Sequence, residues 1–288
     1  MKSLREFISE AEQAKKAIGH FNIASIGQLK AVTTVAKQLE LPVIIGVSEG
    51  ERNFVGVRQA VALIKSFSKN GLPIFINADH TKSLEKIKEA AEAGYDSILF
   101  DASHAPFEEN IKQTKQAVEI IKSVNPDILV EGELGYIGSS SKILEELPKD
   151  AVISSEDLPK PEVAAQFVKE TGIDMLAPAV GNIHGMLKNV ANPNLDIKRI
   201  SEIKKVVGVS LVLHGGSGIK DEDFTAAINA GVSIVHISTE IRAAWRRALD
   251  QSLKDKPQEV APYKIMADVV VAMEKVVEKR LKLFSKIN

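Results

Sequence analysis

Three segments of the chain carry the same short passage from helix to strand. Glu92-Ala-Gly-Tyr-Asp-Ser-Ile-Leu-Phe, Glu170-Thr-Gly-Ile-Asp-Met-Leu and Asn229-Ala-Gly-Val-Ser-Ile-Val each follow an amphipathic stretch. Each passes a glycine placed to cap that helix, then enters an aliphatic or β-branched run. The runs are apolar almost without alternation, as suits parallel strands covered on both faces. Extending the pattern predicts eight strands, near Ile18–Asn22, Pro42–Val47, Pro73–Ala78, Ser97–Phe100, Ile128–Glu133, Met175–Pro178, Ser210–Leu213 and Ser233–Ile237. Helical patterns such as Gly27–Leu39, Ser83–Ala93, Glu108–Lys122 and Asp221–Ala230 separate them. The 288 residues hold no Pro-, Gly- or Ser-rich linker and lie near the roughly 250 typical of an α/β barrel. The expected fold class is therefore α/β, a single (β/α)8 TIM barrel over 1–288 with an extra N-terminal helix and a C-terminal helix. A doubly wound open sheet is the alternative, because strand count alone does not prove closure.

Counting excludes several chemistries. With no cysteine, the chain has no disulfide scaffold, thiolate nucleophile, Cys-held zinc or iron–sulfur cluster. Any metal must be held by His, Asp or Glu. A formal net charge of −1 without blocks of like charge argues against nucleic acid or an acidic membrane surface as partner. No apolar run is long enough to span a bilayer, and the charged start Met1-Lys-Ser-Leu-Arg-Glu lacks a signal-peptide core. A cytoplasmic protein is expected.

Polar residues gather where the predicted strands end. Asn77-Ala-Asp79-His80, Asp101-Ala-Ser-His104, Glu131-Gly-Glu133, Gly181-Asn-Ile-His184-Gly185, His214-Gly-Gly-Ser-Gly218 and His236-Ile-Ser-Thr239 all follow apolar runs. In a barrel those ends converge on one mouth. Five of the six histidines lie there. A histidine cluster beside carboxylates, with no thiol, suits a catalytic zinc that keeps one position open. Gly215–Gly218 before one helix, and Ser238-Thr239 opening the next, suit a phosphate on backbone N–H groups.

Two segments fall outside the repeat. Gly135–Lys160 is long for a βα loop and reads as a lid-like binding loop or as a disordered surface insertion. Met266–Phe284 places Val269, Met273, Val276, Val277 and Phe284 on one helix face, to pack on the barrel or a partner subunit. His20 reads as structural, His104 as a neighbour of Asp101, and Arg242, Trp245, Arg246 and Arg247 as a solvated or subunit-contact face.

These pieces together resemble the class II, metal-dependent fructose-bisphosphate and tagatose-bisphosphate aldolase family. The resemblance rests on Phe21-Asn22, Pro42–Gly50, Ala78-Asp79-His80, Phe100–Ile111, Val130–Gly135, Gly181–Gly185 and Leu211–Gly218, in order over roughly 18–240. It implies that His80, His184 and His214 hold Zn²⁺ and that Asp79 moves the proton at the aldehyde-derived oxygen. Asp101 and Glu133 match acids lining a second or alternative cation position. Gly185, Gly215, Gly216, Ser217 and the run His236, Ile237, Ser238, Thr239 match positions that bind the dihydroxyacetone-phosphate half, with Asn22 and Ser48 nearby. The implied activity is reversible cleavage of a ketose 1,6-bisphosphate, with a small sugar phosphate as partner and a homo-oligomeric assembly.

Three positions depart from the family. His236 stands where the family usually has Asn. Ser139-Ser140-Ser141 stand where its mobile loop usually carries acids. Ala261-Pro262-Tyr263-Lys264 stands where an Arg usually helps bind the second phosphate, and Lys264 offers charge there without bidentate geometry. A Schiff-base aldolase using Lys82 or Lys188 and a non-catalytic sugar-phosphate-binding subunit are the other readings.

Overall fold

A computed structural model describes residues 2–68, 71–138, 141–148 and 150–287. Its strands are β1 (Ile18–Asn22), β2 (Val43–Ser48), β3 (Ile74–Thr81), β4 (Ser97–Phe100), β5 (Leu129–Leu134), β6 (Ile143–Leu144), β7 (Met175–Pro178), β8 (Met186–Leu187), β9 (Ser210–Leu213) and β10 (Val232–Ile237). Its helices are α1 (Leu4–Gln13), α2 (Ile26–Leu39), α3 (Glu49–Val55), α4 (Val57–Ser68), α5 (Leu84–Ala93), α6 (Phe107–Val124), α7 (Pro161–Thr171), α8 (Ile197–Val207), α9 (Asp221–Ala230), α10 (Thr239–Asp255) and α11 (Pro262–Ser285). Eight strands close into a parallel barrel in the order β1-β10-β9-β7-β5-β4-β3-β2, and β6 pairs with β8 outside it. Closure removes the open-sheet alternative, because β1 pairs with both β2 and β10.

Each strand was found where the apolar runs place it. The junction glycines behave as their position requires: Gly94 and Gly172 cap α5 and α7 in the left-handed region, at φ 90° and 72°. Alternation along the strands splits the core in two. Phe21, Ile45, Ile76, Ile98, Val130, Leu176, Leu211 and Val235 face outward to the helices. Ile18, Ile44, Phe75, Leu129, Met175, Val212 and Ile234 fill the lower barrel, where Leu4 and Ile8 of α1 close the bottom. That plug leaves the upper end free for polar side chains.

The long segment after β5 forms a small structure over the mouth. Its β6 pairs in parallel with β8, and Ile137, Leu158 and Ala179 bury one another beneath it. Ser139 and Ser140 lie outside the described residues. α11 begins at Pro262, a turn before the expected Met266, and buries Val269, Met273, Val277 and Phe284 against the barrel and its neighbours α2 and α10. Among the described residues, no helix is long and apolar enough to cross a membrane.

Candidate active site

The strand ends open on a cavity of about 260 Å³. All the predicted site residues line it except Glu133 and Ile237: Asp79, His80, His184, His214, Asp101, Asn22, Ser48, Gly185, Gly215, Gly216, Ser217, His236, Ser238 and Thr239 are on its wall. The Ile237 side chain points away from the cavity. Inward His236 forces its neighbour outward on an alternating strand, so the Ile237 side chain is fully buried in the outer core. Glu133 is buried just behind the wall.

Asp79 and His80 are consecutive, yet both reach the cavity. The reason is local: His80 takes φ 41°, in the left-handed region, and the β3–β4 register shifts between Ala78 and Thr81. Strain of this kind costs roughly 1–3 kcal/mol and persists only where the surroundings impose it. Beneath it lies Arg52, a fully buried guanidinium. It donates to the carbonyls of Val47 (2.5 Å) and Asp79 (3.1 Å) and to Thr81 Oγ1 (2.7 Å). These bonds clamp the ends of β2 and β3 on either side of His80.

The three histidines form a compact trio, with ring centroids 4.8 Å (His80–His184), 5.0 Å (His80–His214) and 5.9 Å (His184–His214) apart. Each has one nitrogen already engaged. His80 Nδ1 lies 3.0 Å from Asp101 Oδ2 and 3.5 Å from Glu133 Oε2. His184 Nδ1 donates to the Gly138 carbonyl at 2.5 Å, and His214 Nε2 donates to Glu131 Oε1 at 2.7 Å. An acceptor on one nitrogen places the proton there and leaves the other lone pair bare, the arrangement a metal-ligating imidazole needs. One ligand atom from each of the three lies within 4.8 Å of the others, and the same holds for His80, Asp101 and Glu133. The residues fit a divalent ion.

Electrostatics agree. Burial opposes charge on His80, but Asp79, Asp101 and Glu133 outweigh it and push its pKa up to about 10. Burial likewise disfavours the Asp79 and Asp101 carboxylates, yet His80 beside both holds them below the usual range. Burial and the charge on His80 push His184 down to about 4 and leave His214 neutral. Burial and Asp79 raise Glu131 to about 8. The wall is thus anionic around a single shared positive charge.

Asp79 is held at one oxygen and free at the other. Its Oδ2 accepts from Asn22 Nδ2 at 2.8 Å, while Oδ1 is buried without a hydrogen-bond partner among the described residues. Across the cavity, Gly215 takes φ 60° and packs so closely that a Cβ there would lie 2.2 Å from the Ile183 carbonyl oxygen. Ser217 Oγ accepts from the N–H groups of Ser238 and Glu240, which fastens the glycine turn to the start of α10. Ser238 Oγ is buried there without a hydrogen-bond partner among the described residues.

Sequence reasoning missed the struts. Asn192 donates to the carbonyls of Gly185 and Ser217 and accepts from Leu187 N–H, tying together the loops after β7 and β9. Asn182 donates to the His214 carbonyl. Asn182 lies inside the Gly181–Gly185 motif and Asn192 outside every motif, but no periodicity or local spacing shows which distant carbonyls either would reach. Arg242, expected on a solvated or subunit-contact face, is part-exposed and also lines the cavity, 2.5 Å from Glu51 Oε1, with Lys82 on the same wall. Lys264 is not on it and pairs with Glu259 at 3.3 Å. His104 is exposed and lies against the Tyr136 ring, centroids 3.8 Å apart.

Comparison with known proteins agrees with this geometry. The chain is 36% identical over 268 residues to a fructose-bisphosphate aldolase of Geobacillus stearothermophilus, covering 92% of this chain and 90% of that protein. It is 34% identical to a probable fructose-bisphosphate aldolase of Bacillus subtilis, covering 99% and 98%. The crystal structure of the YdjI aldolase from Escherichia coli K12 superposes with a TM-score of 0.80 at 30% identity, covering 99% of this chain and 97% of that one. The family described as "Fructose-bisphosphate aldolase class-II" matches residues 2–288, and with a closed barrel and a histidine trio at its mouth the chain belongs to that family.

Proposed function

We propose that the protein is a zinc-dependent aldolase that reversibly cleaves fructose 1,6-bisphosphate to dihydroxyacetone phosphate and glyceraldehyde 3-phosphate, working as a cytoplasmic homo-oligomer. The observation that carries this reading is the convergence of one ring nitrogen from each of three imidazoles beside a carboxylate oxygen that has no partner among the described residues.

His80, His184 and His214 would hold Zn²⁺, which as a Lewis acid stabilises the enediolate left when a C–C bond beside a carbonyl breaks. Asp79 Oδ1 takes the proton from the hydroxyl that becomes the aldehyde, and Asn22 keeps Oδ2 out of that task. The N–H groups of the Gly215–Ser217 turn, with Ser238 and Thr239, hold the phosphate. Energy from that remote contact orients the reacting carbons. Asp101 orients His80 through Nδ1, and Asp101 and Glu133 would line the second cation position.

A second reading concerns the aldehyde end. Lys264 does not reach the cavity, and Lys82 and Arg242 are the cations on its wall. That difference favours testing tagatose 1,6-bisphosphate and ketose 1-phosphates alongside fructose 1,6-bisphosphate. In such a panel, dihydroxyacetone phosphate should appear with zinc-loaded protein and vanish on exhaustive chelation. Turnover that survives chelation, or trapping of substrate by borohydride, would overturn the reading in favour of a Schiff base. Phosphate binding without turnover on any substrate would point to a non-catalytic subunit.

A further inference from the structure

Beside Asn22 stands an acid that the proposed chemistry does not use. Glu51 belongs to α3, the seven-residue helix after β2, and is 7% exposed. It is not on the cavity wall, so it does not meet a substrate there. One of its contacts has a local cause. Glu51 closes a capping box with Ser48, whose N–H donates to Glu51 Oε2 at 2.7 Å. A capping box does not require burial, and a glutamate is rarely buried unless it is paired.

The remaining contacts run toward the site. The same Oε2 accepts from Asn22 Nδ2 at 3.2 Å, and Oε1 accepts from Arg242 Nη2 at 2.5 Å. Asn22 Nδ2 also donates to Asp79 Oδ2 at 2.8 Å. Both hydrogens of the Asn22 amide are thus claimed by carboxylates. A flipped amide would set its carbonyl oxygen against two anionic groups, so Glu51 fixes which end of Asn22 meets Asp79. That bond in turn selects the Asp79 oxygen that stays free. Arg52, the next residue of α3, donates to the carbonyls of Val47 and Asp79. One turn of α3 therefore grips Asp79 twice, by its backbone through Arg52 and by its side chain through Glu51 and Asn22.

We propose that Glu51 is a positioning residue for Asp79, acting through Asn22, with Arg242 as the counter-ion that allows its carboxylate to be buried. Removing the acceptor frees the Asn22 amide to turn, and the Asp79 carboxylate then loses its fixed donor. This inference rests on the aldolase reading above, in which Asp79 moves the proton.

The test compares Glu51→Gln with Glu51→Leu on the zinc-loaded protein. Both keep the size of the side chain, but glutamine retains an acceptor for Asn22 and the capping box, whereas leucine retains neither. In steady-state cleavage assays Glu51→Leu should lower kcat roughly 10- to 100-fold, with KM within about twofold of wild type. Glu51→Gln should restore kcat to within about threefold of wild type, the partial loss of one hydrogen bond. Zinc content should match wild type in both. Asn22→Ala should also lower kcat, and Asn22→Ala/Glu51→Leu should lose no more than Asn22→Ala alone. Glu51→Ala takes the place of the leucine variant where leucine folds poorly. Equal kcat losses in the glutamine and leucine variants, or unchanged kcat in both, overturn the positioning role and leave Glu51 a helix cap. Additive losses in the double variant overturn the path through Asn22. Wild-type protein that turns over no ketose phosphate overturns the aldolase reading instead.

Discussion

At the scale of the residue, the site depends on which nitrogen carries a proton. Glu131 is 1% exposed and accepts from His214, so it decides that the other nitrogen of His214 faces the trio. Glu131→Gln should lower zinc affinity roughly 10–100-fold, measured by competition with a chromophoric chelator. Asp79→Asn removes the free carboxylate oxygen and should lower kcat roughly 10²–10⁴-fold with a small change in KM, in steady-state assays. Histidines and acids at strand ends were legible in the chain because the fold period located them and a family pattern singled out three. Arg52, Asn182 and Asn192 were not, since each acts by donating to backbone carbonyls that come near only in the folded barrel.

Elements set the geometry that the residues use. The loop after β9 places Gly215 against the Ile183 backbone with no room for a side chain, at a φ that L-residues rarely adopt. Gly215→Ala should destabilise the fold by more than ~1 kcal/mol in denaturant titration, and should raise KM for phosphorylated substrates. At the bottom, Asp174 links three elements: it accepts from Arg5 of α1 (2.6 Å), from Lys122 of α6 (2.8 Å) and from the Val130 N–H of β5 (2.9 Å). Burial alone would raise its pKa, but Arg5, Lys122 and the Val130 N–H bring it below the ordinary value. A depressed folded pKa means stability that is present above the unfolded value of about 3.9 and lost as pH falls through the folded one. Asp174→Asn should therefore be less stable than wild type at pH 7, with the difference in Tm shrinking below about pH 4. Equal differences at pH 3 and pH 7 would refute that linkage.

For the whole molecule, closure of the sheet gathers eight strand ends onto one cavity and fills the lower barrel with side chains. An ion held by His80 of β3, His214 just after β9 and His184 of the loop after β7 would tie distant parts of the chain together. Chelation should accordingly lower Tm. Free zinc at about 100 times its dissociation constant adds roughly 2.7 kcal/mol, or about 4–5 °C for a chain of this size, readable by calorimetry with and without chelator. A Tm indifferent to zinc would mean that the trio does not bind it in the folded state.

Period and composition by themselves determined the eight βα units, the absence of thiol chemistry and the set of histidines from which a metal site had to be drawn. Those are local or countable properties. Tertiary structure alone decided that Asp79 and His80 both face the mouth, because a left-handed residue and a shifted register broke the alternation that the chain implies. It also decided that His20 shares a level with His236, that Arg242 reaches the cavity and that Lys264 does not. Register and loop packing set which side chains meet, and both depend on contacts between residues far apart in sequence.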